Sequence, residues 1–350
     1  MIDVRWFSPN RYCALPVPAL RRAGLTIALT GEEPAGLAFA ADGACVAAAF
    51  AYSRRHRCPL ALYIWDLPPW RLGSGKPDRV FEAGGRLLRL PRLRGGYPER
   101  AGYYSRMRHA ARSADAVWCP STNTVEDVER HFGVRAERIP FCYDSDRFPG
   151  HEQLPLTVDE PALSAAKGAP LTLLSVSRLV AHKNHALILR AAARLSAQPL
   201  VRILGAGPEA ENLRRLAQSL GVRLELPGGW ASDAAIHAAY REASVLVCPS
   251  RFEGFGLTPL EGLAMGLPVI ASDIPPHREF LGDAVGYFAP RDDANLAREL
   301  HTVLAQPSRH PGPPRAERGA VLPSILAPLT IAACASRLLP GLTRLLGRAP

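Results

Sequence analysis

Apolar residues recur along this chain with two periods, and the two periods take turns. Short runs dominated by branched and aromatic residues alternate with longer segments in which apolar positions return every three or four residues. In the first half this predicts strands at residues 3–7, 25–29, 60–65, 116–119 and 137–141. Helices are predicted at 14–22, 44–57, 99–114 and 122–132. Residues 150–170 are aperiodic and carry prolines, the signature of a linker. The alternation then restarts, with strands at 171–176, 200–204, 223–226, 245–248 and 268–271. The accompanying helices fall at 186–195, 209–220, 232–243, 258–265 and 293–305. Residues 306–318 hold four prolines and read as a loop. Helical residues follow to about Leu346, with breaks expected at Pro323, Pro328 and Pro340. Strands alternating with helices build βαβ units and parallel sheets. The chain is therefore expected to be α/β, with Rossmann-like domains at 1–155 and 156–318 and a helical segment at 319–350.

Composition supports that division. The 350 residues are 47% hydrophobic and 21% charged, enough chain and enough apolar surface for two globular cores. The formal net charge of +10 points to an anionic partner: nucleic acid, a membrane surface or a phosphorylated substrate. Much of the excess lies in residues 71–112, with eleven basic residues against three acidic ones. Leucines interleave with arginines at 86–94. This texture suits a peripheral contact with an anionic membrane, and equally a solvated face of an arginine-rich protein. It lacks the interleaved aromatics of a nucleic-acid stacking platform, so no nucleic-acid partner is expected. The seven cysteines are scattered, and no pair has metal-ligand or redox spacing. They read as buried thiols in a reducing compartment, and the first residues lack a signal-peptide pattern. A cytoplasmic protein follows, one that touches the inner membrane face if 71–112 binds it. The uncharged run 319–336 carries Pro323 and Pro328 and is marginal as a membrane span.

The richest chemistry sits at residues 249–262. A predicted buried strand, 245–248, runs into a loop bearing Gly254 and Gly256, and the loop runs into a helix. The carboxyl ends of parallel strands are where open α/β sheets bind ligands. Glycines let the backbone approach a ligand, and the amides of a helix start suit a diphosphate. Pro259 fits the first helical position. Glu261 has two readings. It closes a capping box with Thr258, or it faces a ligand. Glu253, a loop carboxylate between Phe252 and Gly254, has no comparable structural explanation. Only three of the 42 basic residues are lysines, so Lys183 stands out in a chain that otherwise uses arginine.

The stretch Glu253-Gly254-Phe255-Gly256-Leu257-Thr258-Pro259-Leu260-Glu261-Gly262, followed by residues 266–273, resembles the glutamate pair of retaining GT-B glycosyltransferases of family 4, the glycosyl transferases group 1. Ser175-Val176-Ser177-Arg178-Leu179 with Lys183-Asn184 is similar to the family's phosphate-binding strand-turn. Residues 203–209 resemble its next strand-turn, and residues 114–121 and 139–148 resemble the close of its first domain. The resemblance covers residues 114–290, about half of the chain. It implies two Rossmann-like domains with parallel sheets facing across a cleft, and C-terminal helices packing back toward the N-terminal domain. It also implies transfer of a sugar from a UDP- or GDP-sugar to a saccharide or lipid-linked acceptor hydroxyl with retention, as in polysaccharide or glycolipid synthesis. By the same resemblance Glu253 meets the transferred sugar and Glu261 the nucleotide ribose. Arg178 and Lys183 neutralise the departing diphosphate. Gly254, Phe255, Gly256, Leu257, Gly205 and Gly207 line the donor, with Gly229 and Trp230 near its base. No cofactor and no metal are expected, because the two cations take the charge role.

The chain departs from the family at two places. Ser177 stands where a glycine is common. Trp65 or Asp66 stands where a histidine of the first domain is expected, which makes Asp66 the acceptor-side candidate or a turn cap before prolines. His109 reads as a surface residue. Three other readings compete. Gly205-Ala206-Gly207-Pro208-Glu209-Ala210 fits a dinucleotide fingerprint, with Glu225 at the distance of a ribose-binding acid. The same fold also serves sugar-nucleotide epimerases or phosphorylases, and non-catalytic subunits that bind sugar nucleotides.

Overall fold

The computed structural model describes residues 2–67, 103–148, 171–229, 231–305 and 315–347. The chain divides into two compact units, Met1–Asp144 with Pro328–Pro350, and Ser145–Ala327.

The first unit is built on β1 (Ile2–Phe7), α1 (Val17–Arg22), β2 (Ile27–Ala28), β3 (Ala35–Ala40), α2 (Val46–His56) and β4 (Leu60–Tyr63). It continues through α3 (Tyr103–Ala111), β5 (Ala116–Cys119), α4 (Thr122–Phe132) and β6 (Glu137–Arg138). The strands form one parallel sheet in the order β2-β1-β3-β4-β5-β6. Aromatic rings pack its core, with Trp6 against Phe39 at 4.2 Å between centroids and Phe39 against Trp118 at 5.7 Å. The helices start and stop where local chemistry dictates. The Ser121 hydroxyl caps α4 by accepting from the Thr124 amide, and Gly133 ends that helix in a left-handed conformation.

The second unit runs through β7 (Thr172–Val176), α5 (Ala186–Ala192), β8 (Leu200–Leu204), α6 (Ala210–Leu220), β9 (Leu224–Glu225) and α7 (Asp233–Glu242). Next come β10 (Val245–Cys248), α8 (Leu257–Ala264), β11 (Val269–Ser272), α9 (Pro275–Leu281), β12 (Gly286–Phe288), α10 (Asp293–Ala305) and α11 (Arg315–Leu326). Its sheet is also parallel, in the order β12-β11-β10-β7-β8-β9. The order reverses between β7 and β10, so the crevice at the carboxyl ends of these two strands is the topological switch point of the unit. The central strands β7, β10 and β11 are buried along almost their whole length, as parallel strands covered on both faces must be.

The last helix, α12 (Ile331–Leu346), belongs to the first unit. Cys334, Leu338, Leu342 and Leu345 form its buried face. The Arg337 guanidinium donates to the Pro140 carbonyl at 3.0 Å. Pro340 does not break this helix, and Pro323 does not break α11. An interior proline costs about 3 kcal/mol, and in α12 the buried face offsets it. The expected break appears only at Pro328, in a short 3-10 turn at Ala327–Leu329. Among the described residues no single helix is long and apolar enough to cross a membrane. Val321–Leu329 and Ile331–Leu346 reach that length and apolar content only when taken together, across the break between them.

Other boundaries shift for identifiable reasons. The strand predicted to reach residue 141 ends at Arg138, because Pro140 has no N–H to donate. The first unit ends at Asp144 rather than 155. From Ser145 onward the chain is committed to the second unit, where Arg147 pairs with Asp233 at 2.7 Å and Phe148 packs on Tyr240. Helix α11 likewise belongs to the second unit.

Gly341 gives a direct test of how α12 is seated. A Cβ there would lie 2.5 Å from Cζ2 of the fully buried Trp118. Glycine to alanine inside a helix ordinarily stabilises by up to ~1 kcal/mol. Here Gly341→Ala is expected to destabilise by about 1–3 kcal/mol through overpacking, read as a lowered urea midpoint. A midpoint that rises would show the helix is not held against Trp118.

Candidate functional site

The sequence motifs converge at the switch point of the second unit. β7 leads into Ser177 and Arg178, and β10 leads into the loop that carries Ser250, Glu253, Gly254 and Gly256. Several hydrogen bonds fasten the two strand ends together. The Thr258 hydroxyl, in the first turn of α8, donates to the Val176 carbonyl at 3.0 Å. Asn184, in a left-handed conformation, donates its amide to the Pro249 and Pro290 carbonyls at 3.1 and 3.0 Å. Its side-chain oxygen accepts from Arg251 at 3.1 Å. Non-glycine residues rarely adopt such a φ, and asparagine is among the few that tolerate it. Asn184 thus ties the turn after β7 to the loop after β10.

Lys183 sits at the end of a 3-10 turn, Ala181–Lys183, and its ammonium lies 2.5 Å from Oε1 of Glu253. The two side chains are 15% and 17% exposed, so the pair is largely desolvated. The Ser250 hydroxyl donates to the same oxygen at 2.6 Å, and Ser250 is itself held through its carbonyl by the Ser272 hydroxyl. Burial alone would raise the Glu253 pKa. The Lys183 ammonium and these hydrogen bonds outweigh burial and hold it at about 2. Glu253 is therefore a fixed carboxylate at neutral pH. Two residues seventy apart in sequence form one ion pair.

The glycine loop has a firm floor. Gly256 adopts φ +93° and is the N-cap of α8, and it has no side chain with which to cap the first-turn amides. A Cβ on Gly256 would come within 3.1 Å of the His277 ring. His277 is 1% exposed and its Nδ1 lies 2.8 Å from the Ser272 carbonyl, so Nδ1 carries the proton. Burial lowers its pKa. Phe255 turns inward against Phe280, with 4.5 Å between ring centroids, while Gly254 is buried and Leu257 opens the helix. Sequence reasoning missed His277. Its position on a helix that begins Pro275-Pro276 gives no periodic signal.

Glu261 is not a capping residue. Its carboxylate accepts from the Tyr240 hydroxyl on α7 at 3.1 Å, and the Thr258 hydroxyl is turned to β7 instead. Tyr240 is itself 1% exposed. Pro259 occupies the third helical position rather than the first, still among the four whose N–H has no acceptor within the helix.

Gly205 and Gly207 serve the turn itself. Cβ atoms there would fall 1.9 Å from the Ser177 carbonyl oxygen and 2.3 Å from that of Leu179. They let the turn after β8 lie flat against the turn after β7. This use of the glycines, and the ion pair of Glu225 with Arg202 at 2.5 Å, account for the residues of the dinucleotide fingerprint without a dinucleotide. Gly229 has a positive φ and open space beside it, and Trp230 lies outside the described residues. In the first unit, Asp66 stands half-buried just past the carboxyl end of β4, where the neighbouring Trp65 indole donates to the Ala41 carbonyl at 2.9 Å. His109 is exposed on α3. Residues 68–102, most of the basic segment 71–112, lie outside the described residues.

The Lys183–Glu253 pair and the start of α8 lie at the switch point of the sheet, where open α/β sheets bind ligands, and Arg178 follows β7 on the chain. Residues 160–316 match the family model of glycosyl transferases group 1. The second unit carries a glycosyl transferases group 1 domain. The chain is 34% identical over 214 residues to a D-inositol 3-phosphate glycosyltransferase of Geodermatophilus obscurus, an alignment covering 55% of this chain and 46% of that protein. It is 29% identical to the lipopolysaccharide core biosynthesis glycosyltransferase LpsE of Rhizobium meliloti, over 63% of this chain and 61% of that one. The chain thus spans less than two thirds of each of these relatives. Among solved structures, Anabaena HepE in complex with UDP-glucose shares the fold, with a TM-score of 0.70 at 13% identity over 98% of this chain and 100% of that one. The architecture is that of GT-B glycosyltransferases.

Proposed function

We propose that this protein is a glycosyltransferase that moves a sugar from a UDP- or GDP-sugar to an acceptor hydroxyl with retention of configuration. The acceptor in this reading is a saccharide or a lipid-linked saccharide, and transfer needs no metal and no cofactor. The observation that carries the proposal is the Lys183–Glu253 pair beside the start of α8, at the switch point of a group 1 domain. The group 1 relatives named for glycosyl transfer support the reaction class, and the fold shared with a protein that binds UDP-glucose supports the donor class.

The residues take the following roles. Arg178 and Lys183 meet the diphosphate, together with the first-turn amides of α8. As the glycosidic bond to the nucleotide breaks, negative charge grows on the departing phosphate. A preorganised ammonium and guanidinium stabilise it at the moment it forms. Glu253, fully ionised, accepts hydrogen bonds from the transferred sugar, and Glu261 accepts them from the ribose. Asp66 orients the acceptor. The basic segment 71–112 brings the protein to the inner face of the cytoplasmic membrane, and the seven free thiols suit that compartment.

Thermal shift against UDP, GDP, ADP and NAD is the test. A ligand at a hundred times its dissociation constant stabilises the folded protein by about 2.7 kcal/mol. UDP or GDP is expected to raise the melting temperature, and NAD is not. Stabilisation by NAD alone, or by none of the four, would overturn the proposal.

A further inference from the structure

Ser177 and His185 form a pair that the roles above leave unused. Ser177 is the first residue past β7, beside Arg178, and its hydroxyl is 3.0 Å from Nε2 of His185. His185 is 3% exposed at the start of α5, and its other ring nitrogen, Nδ1, has no hydrogen-bond partner among the described residues. Burial and then the nearby Lys183 ammonium push its pKa down to about 4, so the ring is neutral at pH 7.

A neutral imidazole carries one N–H. With the proton on Nδ1, that N–H would be buried without an acceptor, at a cost of about 1–3 kcal/mol. With the proton on Nε2, the N–H is satisfied by the Ser177 oxygen, and Nδ1 keeps only a bare lone pair. Orphaned buried N–H groups are the rarer kind, so the proton belongs on Nε2. Ser177 then accepts from His185, and its own proton has to point elsewhere. The one protein acceptor near it among the described residues is the Arg178 carbonyl at 3.5 Å, at the outer limit of a hydrogen bond. The half-buried hydroxyl becomes a committed donor at the end of β7. Arg178 is its neighbour in sequence, and Thr258 bonds the start of α8 to the preceding residue of the same strand.

We propose that His185 and Ser177 act as a two-step hydrogen-bond relay that holds the Ser177 hydroxyl as a donor to the distal phosphate of the bound nucleoside diphosphate. His185 is the positioning residue and Ser177 the ligand. This rests on the nucleotide-sugar reading above. Nothing covalent changes. One O–H···O bond forms to an anionic oxygen, supplementing Arg178 and Lys183 with a donor of fixed direction.

The test is titration calorimetry of the protein and its Ser177→Ala variant with UDP, UMP, GDP and GMP. A hydrogen bond to a charged oxygen predicts that Ser177→Ala weakens the diphosphate that binds by roughly tenfold or more. The matching monophosphate, which lacks the distal group, should change less than about twofold. His185→Gln, whose amide N–H stands in for the ring N–H, should retain most of the affinity, whereas His185→Leu should repeat the loss. Unchanged diphosphate affinity in Ser177→Ala overturns the relay. So does equal weakening of mono- and diphosphate, which would mean a general disturbance of the turn. If the unaltered protein binds neither UDP nor GDP, the nucleotide-sugar reading fails with it, and that outcome shows in the unaltered protein alone.

Discussion

On the proposed function, replacing Lys183 by alanine is expected to lower the rate of sugar transfer by about a thousandfold while the chain still folds. Removing one preorganised donor from a developing oxyanion typically costs about 10²–10³ in rate. Lys183 has a second duty that deepens the loss. Its ammonium compensates a largely buried carboxylate, and without it Glu253 keeps only the Ser250 hydroxyl as a hydrogen-bond donor among the described residues. The freed carboxyl then shifts toward protonation, because burial raises its pKa and the largest opposing influence, the Lys183 ammonium, is gone, leaving only His277 and the Ser250 hydroxyl to lower it. Glu253→Ala should produce a similar loss of rate. Glu253→Gln separates the roles, since it keeps the shape and one acceptor while removing the charge that anchors Lys183. Lys183→Arg is expected to recover little, because a planar fork does not replace a compact ammonium at a single oxygen 2.5 Å away. Release of nucleoside diphosphate in single-turnover experiments gives the rates, and circular dichroism checks the fold. Near-normal release in both alanine variants would remove the assignment.

The segment after β10 was the most legible part of the site, because a strand, a glycine loop and a helix start follow one another in sequence. What joined them across space was not legible. Nothing local announces that Lys183 reaches Glu253 seventy residues later, or that Tyr240 on α7 holds Glu261. The capping-box reading of Glu261 is sound as local chemistry and loses to tertiary structure, because Thr258 has a better use in fastening β7. The same holds for the fold. The alternation of periods revealed both sheets, yet β3 went unrecognised although it lies between β1 and β4. Its sequence, Ala35-Gly36-Leu37-Ala38-Phe39-Ala40, is half alanine and has no residue branched at the β carbon. Helix α9 was missed because it begins with two prolines, and β12 because it has only three residues. Helix α12 was read as broken at Pro340 because the cost of a proline is visible in sequence. The buried face that offsets it appears only when Trp118 and the first unit are in place.

The second unit is expected to lose stability sharply between pH 6.5 and 4, and the first unit much less. His182 and His185 are both held near pKa 4 in the folded chain, first by burial and then by Lys183. In the unfolded chain each returns to about 6.5. Between these values the unfolded state binds protons that the folded state refuses. Stability therefore rises with pH across the window and is lost as pH falls through it. A shift of this size corresponds to about 3 kcal/mol per histidine at the acid end. That is a large share of the roughly 5–15 kcal/mol that holds a typical domain. His277 adds to the effect with the same sign. Glu253 acts lower on the scale. Its folded pKa is about 2 against roughly 4.5 unfolded, so its contribution is present above 4.5 and disappears only as pH falls toward 2. Hydrogen exchange in urea, followed peptide by peptide at pH 7.5, 6 and 5 with intrinsic rates corrected, reads the two units separately. Peptides from β7, β8 and β10 should lose protection well before those from β1, β4 and β5. A double variant, His182→Gln with His185→Gln, should make the dependence above pH 4.5 much shallower, leaving the share of His277 there and the carboxylate-linked loss below it. Equal protection of β7 at pH 7.5 and pH 5 would show that these histidines are not buried as neutral rings beside Lys183, and the relay through Ser177 would lose its physical basis as well.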